Sequence, residues 1–329
     1  MRRLTILVLG LLGCNAAPRA PEGTAQKTPS APRAATAATT TVTTSRAETT
    51  SVTASSERTT PNPPATLELR AFERCGELEC LRFDSSSEAL RHVLTLTRPR
   101  VLAIGESHAP KGSEAIESTA SRVRREWLAH LRGLASDVVM ELPVPPKGCE
   151  PARREVIEKV ERPVTQTQRG DNRNEFLELA NASRAAGIQP WALEPTCDEL
   201  KSVGQAGDES LAAMMSLIAE LTFRRLQVLD ARRPPDALLV AYGGALHNDV
   251  APAPDRLGWS FGSRLVAALG NRYVELDAFV PEHVRDTESW RRMPWYRHHD
   301  PAAAPDKVTL MRVGPTSFVL LFARTSPAP

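Results

Sequence analysis

"VLAIGESHAPKG", residues 101–112, runs from four apolar residues into a glycine, a carboxylate and an imidazole, and then into a Pro/Gly loop. A short apolar run without polar alternation reads as a strand buried on both faces. Glycine at its end lets the chain turn sharply and approach a neighbour closely. The same arrangement returns down the chain. "SDVVMELP" (136–143), "IQPWALEP" (188–195), "DALLVAYGG" (236–244) and "RYVELDAFV" (272–280) are four more apolar runs. Between them lie helical patterns: about Ser113 to Leu134, "RNEFLELANASRAAG" (173–187) with Gly187 at its end, "DESLAAMMSLIAELTFRRLQVLDARR" (208–233) stopped by Pro234-Pro235, and "GWSFGSRLVAALG" (258–270). Strands alternating with long helical patterns predict an α/β fold, a mostly parallel central sheet flanked by helices. "KVTLMRV" and "SFVLLFAR" around Gly314-Pro315-Thr316 predict a C-terminal β-hairpin. Ahead of the first buried strand come a short extended piece ("LELRAF", "LRFD") and a helix, "SSSEALRHVLTL", with serines at its cap and Glu88 in its first turn.

In such sheets the ligand crevice lies outside the carboxyl ends of the strands. Four consecutive strands end in groups fit for chemistry there. They deliver Glu106 and His108, then Glu141, then Glu194, then His247 on Gly243-Gly244-Ala245-Leu246-His247. Gly-x-x-His occurs twice, at Gly105/His108 and Gly244/His247. Singly, a strand-terminal His or Glu reads as a cap; together they predict one site. Two neutral imidazoles and a carboxylate, His108, His247 and Glu141, with an open position would suit a divalent metal such as Zn, Mn or Co. Without metal, a histidine oriented by a carboxylate can take a proton from water, because imidazole titrates near working pH.

"GESH", "VVMELP" and "GGALH", in this order, resemble the superfamily that joins erythromycin esterase, the ChaN haem-binding lipoproteins and the Tiki/TraB proteins. The resemblance covers approximately residues 98 to 280. It implies an α/β fold and a site built from Glu106, His108, Glu141 and His247, all four as catalytic candidates. It implies no single activity: the esterases open a macrolactone with activated water, Tiki proteins imply metal-dependent peptidases, and ChaN-like lipoproteins bind haem. The function expected is therefore a membrane-anchored hydrolase of an ester or peptide bond, with or without metal. The alternative is a haem- or iron-binding uptake lipoprotein without catalysis. For the latter, "WYRHHDP" (295–301) offers Trp295, Tyr296, His298 and His299 as aromatics and axial ligands, or else as a solvated loop with Trp295 packed on the domain.

"GWSFG" (258–262) fits the G-x-S-x-G nucleophile elbow around Ser260, with Asp277 and His283 following in order. That motif needs a strand before it, and "APAPDRL" is Pro-rich, so Ser260 reads as a helix start. Walker-type loops, G-x-G-x-x-G and H-E-x-x-H do not occur, so neither a nucleotide cofactor nor a zincin is expected.

The amino terminus, "MRRLTILVLGLLGCN", pairs two arginines with a short apolar run, as a secretory signal does. Leu11-Leu12-Gly13-Cys14 resembles a bacterial lipobox, which implies removal of residues 1–13 and lipidation of Cys14. Residues 15–64 hold no Leu, Ile, Phe, Met, Trp or Tyr. Such a stretch cannot bury enough apolar surface to offset its conformational entropy, so 14–64 reads as a lipidated cysteine plus disordered tether. Residues 65–329 then form a single α/β domain. Placement in the cell envelope follows, and Asn15, in place of the aspartate of inner-membrane retention, favours the outer membrane. A formal net charge of +2 leaves no footprint for nucleic acid. The partners expected are a small-molecule or peptide substrate, or haem, and the membrane through the anchor.

Four cysteines remain after Cys14. An even number in an oxidising compartment suggests two disulfides, with three ways to pair them. Gly76 in "CGELEC" favours Cys75–Cys80 across a hairpin, leaving Cys149–Cys197; free buried thiols are the alternative.

Overall fold

The computed structural model describes residues 69–300 and 302–325. The signal-like segment, Cys14 and the tether lie outside them. The domain is built on one nine-stranded sheet, ordered β1-β2-β8-β9-β7-β3-β6-β4-β5. The strands are β1 (Glu73–Cys75), β2 (Leu78–Phe83), β3 (Val101–Glu106), β4 (Ala135–Pro143), β5 (Gln189–Leu193), β6 (Leu238–Gly244), β7 (Tyr273–Phe279), β8 (Val308–Gly314) and β9 (Ser317–Leu321). From β9 to β5 every neighbouring pair is parallel. β8 hairpins back on β9 and continues antiparallel into β2 and β1. The expected α/β sheet and its C-terminal hairpin are both present.

Every residue of β3 is buried, because helices cover both faces. Alternate residues of a strand point to opposite faces. Leu102 and Ile104 enter a core with the helices at Ser86–Thr97, 119–131 and Asn172–Ala185. Val101 and Ala103 enter a second core with the helices at 150–165, Cys197–Gly204 and Ser210–Arg232. Val101, Leu102 and Ile104 each contribute about 1.5–3 kcal/mol on full burial. That burial fixes β3 at the sheet centre, between β6 and β7.

The helix Ser86–Thr97 starts where its serines placed it: the Ser85 side chain accepts from the Glu88 N–H at 3.3 Å. The helix expected from Ser113 begins instead at Thr119, after Ser118 caps it through the Ser121 N–H at 3.1 Å. Residues 113–118 stay irregular, in the loop leading away from β3. Its middle turn, Val123–Trp127, is π-helical and buries Trp127. Among the described residues the helices 150–165 and Cys197–Gly204, and the single turn Glu288–Arg291, were not expected. The first carries few apolar residues and the second is short, so neither shows a long apolar period. The second is held by a capping box between Thr196 and Glu199. "GWSFGSRLVAALG" splits into a 3₁₀ segment, Pro254–Trp259, and a helix, Gly262–Leu269.

Both expected disulfides are formed, Cys75–Cys80 and Cys149–Cys197, with Cα–Cα separations of 5.7 and 5.1 Å. Gly76, at φ +66°, makes the hairpin turn inside the first. The second ties the start of helix 150–165 to the start of Cys197–Gly204, beyond the ends of β4 and β5. Among the described residues no helix is long and apolar enough to cross a membrane.

Candidate functional site: a histidine–carboxylate cluster at the sheet edge

The register of the central strands sets the two glycine turns side by side. β3 pairs with β6 so that Gly105 lies opposite Gly243 and Glu106 opposite Gly244. β4 flanks β6 on the other side. Glu106 and His108, Glu141, and His247 therefore leave the same edge from three adjacent strands. A side-chain carbon placed at Gly244 would lie 3.4 Å from Glu141 Oε2, 3.8 Å from His108 Nε2 and 3.9 Å from the His247 ring. The two imidazoles, about 140 positions apart in the chain, meet over one glycine.

The two halves come from opposite faces of the sheet. On the first face, Glu106 is bound on both carboxylate oxygens: Oε1 lies 2.9 Å from His108 Nδ1, and Oε2 accepts the Tyr242 hydroxyl. A carboxylate on Nδ1 sets the tautomer, so His108 turns Nε2 outward toward Gly244. Phe176 packs against the ring, with centroids 5.7 Å apart. On the second face, Glu141 Oε2 accepts the Gly244 N–H at 2.5 Å, and Oε1 lies 3.5 Å from His247 Nε2. His247 Nδ1 lies 2.7 Å from the Trp259 carbonyl, which fixes that ring in the same sense.

Glycine at 243 follows from this packing. A side-chain carbon there would stand 2.5 Å from Glu141 Oε2, inside any real contact distance, so only glycine lets Glu141 lie flat on the strand end. Gly105 is used likewise on β3, where the carboxylate of Asp277 occupies the space a side chain would need.

Burial and charge act against each other here. Burial pulls His108 down, but the hydrogen bond and charge of Glu106 and the charge of Glu141 push it up to about 9. Burial raises Glu141, but the charge and hydrogen bond of His247, the charge of His108 and the Gly244 N–H hold it at about 2. His247 is lowered by burial and raised further by Glu141 and the Trp259 carbonyl, with a net upward shift. At neutral pH Glu141 is ionised and His108 cationic, and the His247 ring beside them is shifted toward its protonated form. Of the four side chains His108 is the most open, 28% exposed, against 4% for Glu106 and His247 and 14% for Glu141. His108 is thus the member of the cluster most open to solvent.

Several sequence candidates lie elsewhere. Glu194 is 66% exposed and pairs with Arg225 on the surface, beyond the end of β5, the edge strand of the sheet. The Ser260 hydroxyl is buried, 3.0 Å from the His247 carbonyl and 2.7 Å from that of Asp249, and accepts the Gly262 N–H, so it staples a loop. Trp295 is buried, stacked on Phe279, and His298 packs over Gly76 of the β1–β2 turn. Tyr242 was missed, although a tyrosine just before Gly243-Gly244 is a polar group at a strand end and its hydroxyl holds Glu106.

The ligand set His108, Glu141 and His247 offers the right donor atoms for a zinc-like ion. Among the described residues, however, no group of three or more His, Cys, Asp or Glu side chains is arranged to hold one. With the side chains standing as they do, acid–base chemistry is open to them without an ion, and the same three donors would be the ones to hold a divalent metal.

No protein-family model matches the chain, and no curated protein matches it. Three solved structures are similar. A Bacillus cereus protein is 11% identical over 62% of this chain and 72% of its own, with a TM-score of 0.34. The type III effector HopBA1 is 10% identical over 73% and 94%, with a TM-score of 0.35. RRSP, a MARTX toxin effector domain from Vibrio vulnificus CMCP6, is 17% identical over 48% and 30%, with a TM-score of 0.29. Likeness this slight carries no function across.

Proposed function

We propose that the domain is a hydrolase of ester or peptide bonds whose working groups are His108, Glu141, His247 and Glu106. The reading rests on one observation: His108 Nε2, Glu141 Oε2 and the His247 ring converge within 3.4–3.9 Å of the side-chain position at Gly244. The ordered motifs that resemble the erythromycin esterase, ChaN and Tiki/TraB superfamily support it.

The charge states assign the roles. His108, protonated up to about pH 9 and facing solvent, donates from Nε2 to the leaving group. Glu141, ionised, takes a proton from the attacking water. The resulting hydroxide adds to the carbonyl carbon, and the bond to the leaving oxygen or nitrogen breaks as His108 protonates it. The carboxyl proton on Glu141 then returns to His108 through solvent, which restores both groups. Loss of the His108 charge during the step removes a cation that holds Glu141 acidic, so the base strengthens as its partner acts as acid. The His247 ring, shifted toward its protonated form beside Glu141, stabilises the anionic tetrahedral intermediate. Glu106, fixed by Tyr242, keeps His108 in the correct tautomer. The lipobox-like Leu11–Cys14 supports a lipid-anchored placement in the cell envelope, with the tether giving the site reach to its substrate.

A panel of chromogenic esters and peptides tests the reading. His108→Ala, His247→Ala and Glu141→Gln should each lower kcat/KM by 100-fold or more, the scale of a lost acid–base group, in proteins that still fold and unfold cooperatively. Large stability losses without a catalytic defect would make the cluster structural. Mixing with haem separates the rival reading: a sharp Soret band lost on mutating a histidine, with no turnover anywhere in the panel, refutes a hydrolase.

A further inference from the structure

β7 carries a contradiction. All seven residues of "YVELDAF" are buried, as a central parallel strand requires, yet two of them are acids. Tyr273, Glu275 and Asp277 alternate, so they share one face. Each reaches the loop that carries His247. The Tyr273 hydroxyl donates to the Asn248 carbonyl at 2.6 Å, Glu275 Oε2 accepts the Val250 N–H at 3.2 Å, and Asp277 Oδ1 accepts from the Asn248 side-chain amide at 3.0 Å. Asp277 gets there through the space left by Gly105 on β3. From the opposite side the Phe261 N–H and the Ser260 hydroxyl hold the His247 carbonyl. The segment 247–250 is gripped between the two.

Among the described residues neither acid has a cationic partner to account for its burial. The groups that face them are Asp249 from the loop, Tyr273 from β7 itself, Asn248 and the Val250 N–H, and Ser317 from β9. Burial and mutual repulsion push Glu275 well above the carboxylate range, and burial pushes Asp277 to about 7. An uncompensated pair of buried acids weakens a fold, so its place beneath a reactive histidine calls for a role there.

We infer that Glu275 and Asp277, with Tyr273, are positioning residues: they grip residues 248–250 from below and so set the pose of the His247 ring against Glu141. The catalytic consequence rests on the hydrolase reading; the positioning does not. It is tested in the full chain by Asp277→Leu, Asp277→Asn and Tyr273→Phe. One readout is the NMR pH titration of the His247 ring, assigned by its loss in His247→Ala. The other is kcat and KM on the best chromogenic ester. Asp277→Leu should displace the His247 titration and lower kcat tenfold or more, with KM within twofold. Asp277→Asn, which keeps an acceptor for Asn248 but cannot ionise, should restore kcat to within threefold at pH 6. It should also remove the pH-dependent change in the Asn248 side-chain amide signal expected of the native chain as Asp277 ionises. Tyr273→Phe, which only deletes a hydroxyl, carries the test if Asp277→Leu does not fold. An identical His247 titration in native, Asp277→Leu and Tyr273→Phe proteins overturns the inference. A titration that moves in a protein hydrolysing nothing refutes the hydrolase reading and leaves the positioning intact.

Discussion

Replacing Gly243 by alanine tests the site without touching any group that does chemistry. The added carbon would stand 2.5 Å from Glu141 Oε2 and 2.8 Å from Glu141 Cβ. Ordinary contact needs about 3.4 Å, so the carboxylate must retreat by roughly 0.9 Å, a displacement that costs on the order of 100-fold in rate when it falls on a reacting group. The backbone at 243 is not left-handed, so the strain is steric and should cost about 1–3 kcal/mol of stability. The retreat also lengthens the pair from Glu141 to His247, now 3.5 Å. In a medium of effective dielectric near 20, a lengthening of that size removes about 1 kcal/mol of attraction, or about fivefold in the affinity of the His247 ring for its proton. Two assays follow: ester hydrolysis with a thermal unfolding control, and an NMR titration of His247, expected to move to lower pH. Gly170→Ala is the control, because nothing lies within 4 Å of that position. A Gly243→Ala protein with native turnover and a native His247 titration would refute the packing of Glu141 on β6.

Glu141 sits at about 2 when folded against an ordinary 4.5, so its contribution to stability is full above about pH 4.5 and is lost as pH falls toward 2. Thermal unfolding across that window should show an acid loss that Glu141→Gln lacks. His108, raised to about 9 from 6.5, contributes fully below about pH 6.5 and loses its contribution as pH rises through 9, a decline that His108→Ala should abolish. Cys149–Cys197 closes a sequence separation of 48 and Cys75–Cys80 one of 5. On chain entropy these are worth about 4 and about 2 kcal/mol, so Cys149→Ser/Cys197→Ser should lower the urea midpoint further than Cys75→Ser/Cys80→Ser. Ser260→Ala should retain reactivity toward substrate within a few fold and lose some stability, because its hydroxyl only secures the His247 loop; a dead but well-folded Ser260→Ala would restore the nucleophile-elbow reading.

Much of the sheet could be read in the sequence because its strands are buried on both faces, which leaves unbroken apolar runs such as "VLAI" and "LLVA". Their carboxyl ends announced Glu106, His108, Glu141 and His247 for the same reason: a charged group directly after such a run must emerge at the sheet edge. What failed had other causes. Glu194 follows an apolar run too, but β5 is an edge strand, and strand order is not written in any local pattern. The helices 150–165 and Cys197–Gly204 are held by π-turn packing, a capping box and the Cys149–Cys197 link rather than by an apolar stripe. Tyr242, Asp277 and Asn248 act through partners at sequence distances of 136, 29 and 145. No spacing rule reaches that far.

The strand order carries a consequence for the life of the chain. β3 and β4 follow one another in sequence but are not neighbours in space, since β6, made almost a hundred residues later, slots between them. Until it does, the acid–base pair hanging from β3 and the carboxylate hanging from β4 face an empty gap, and the second imidazole is absent altogether. The cluster therefore comes together only once β6 has taken its place between β3 and β4.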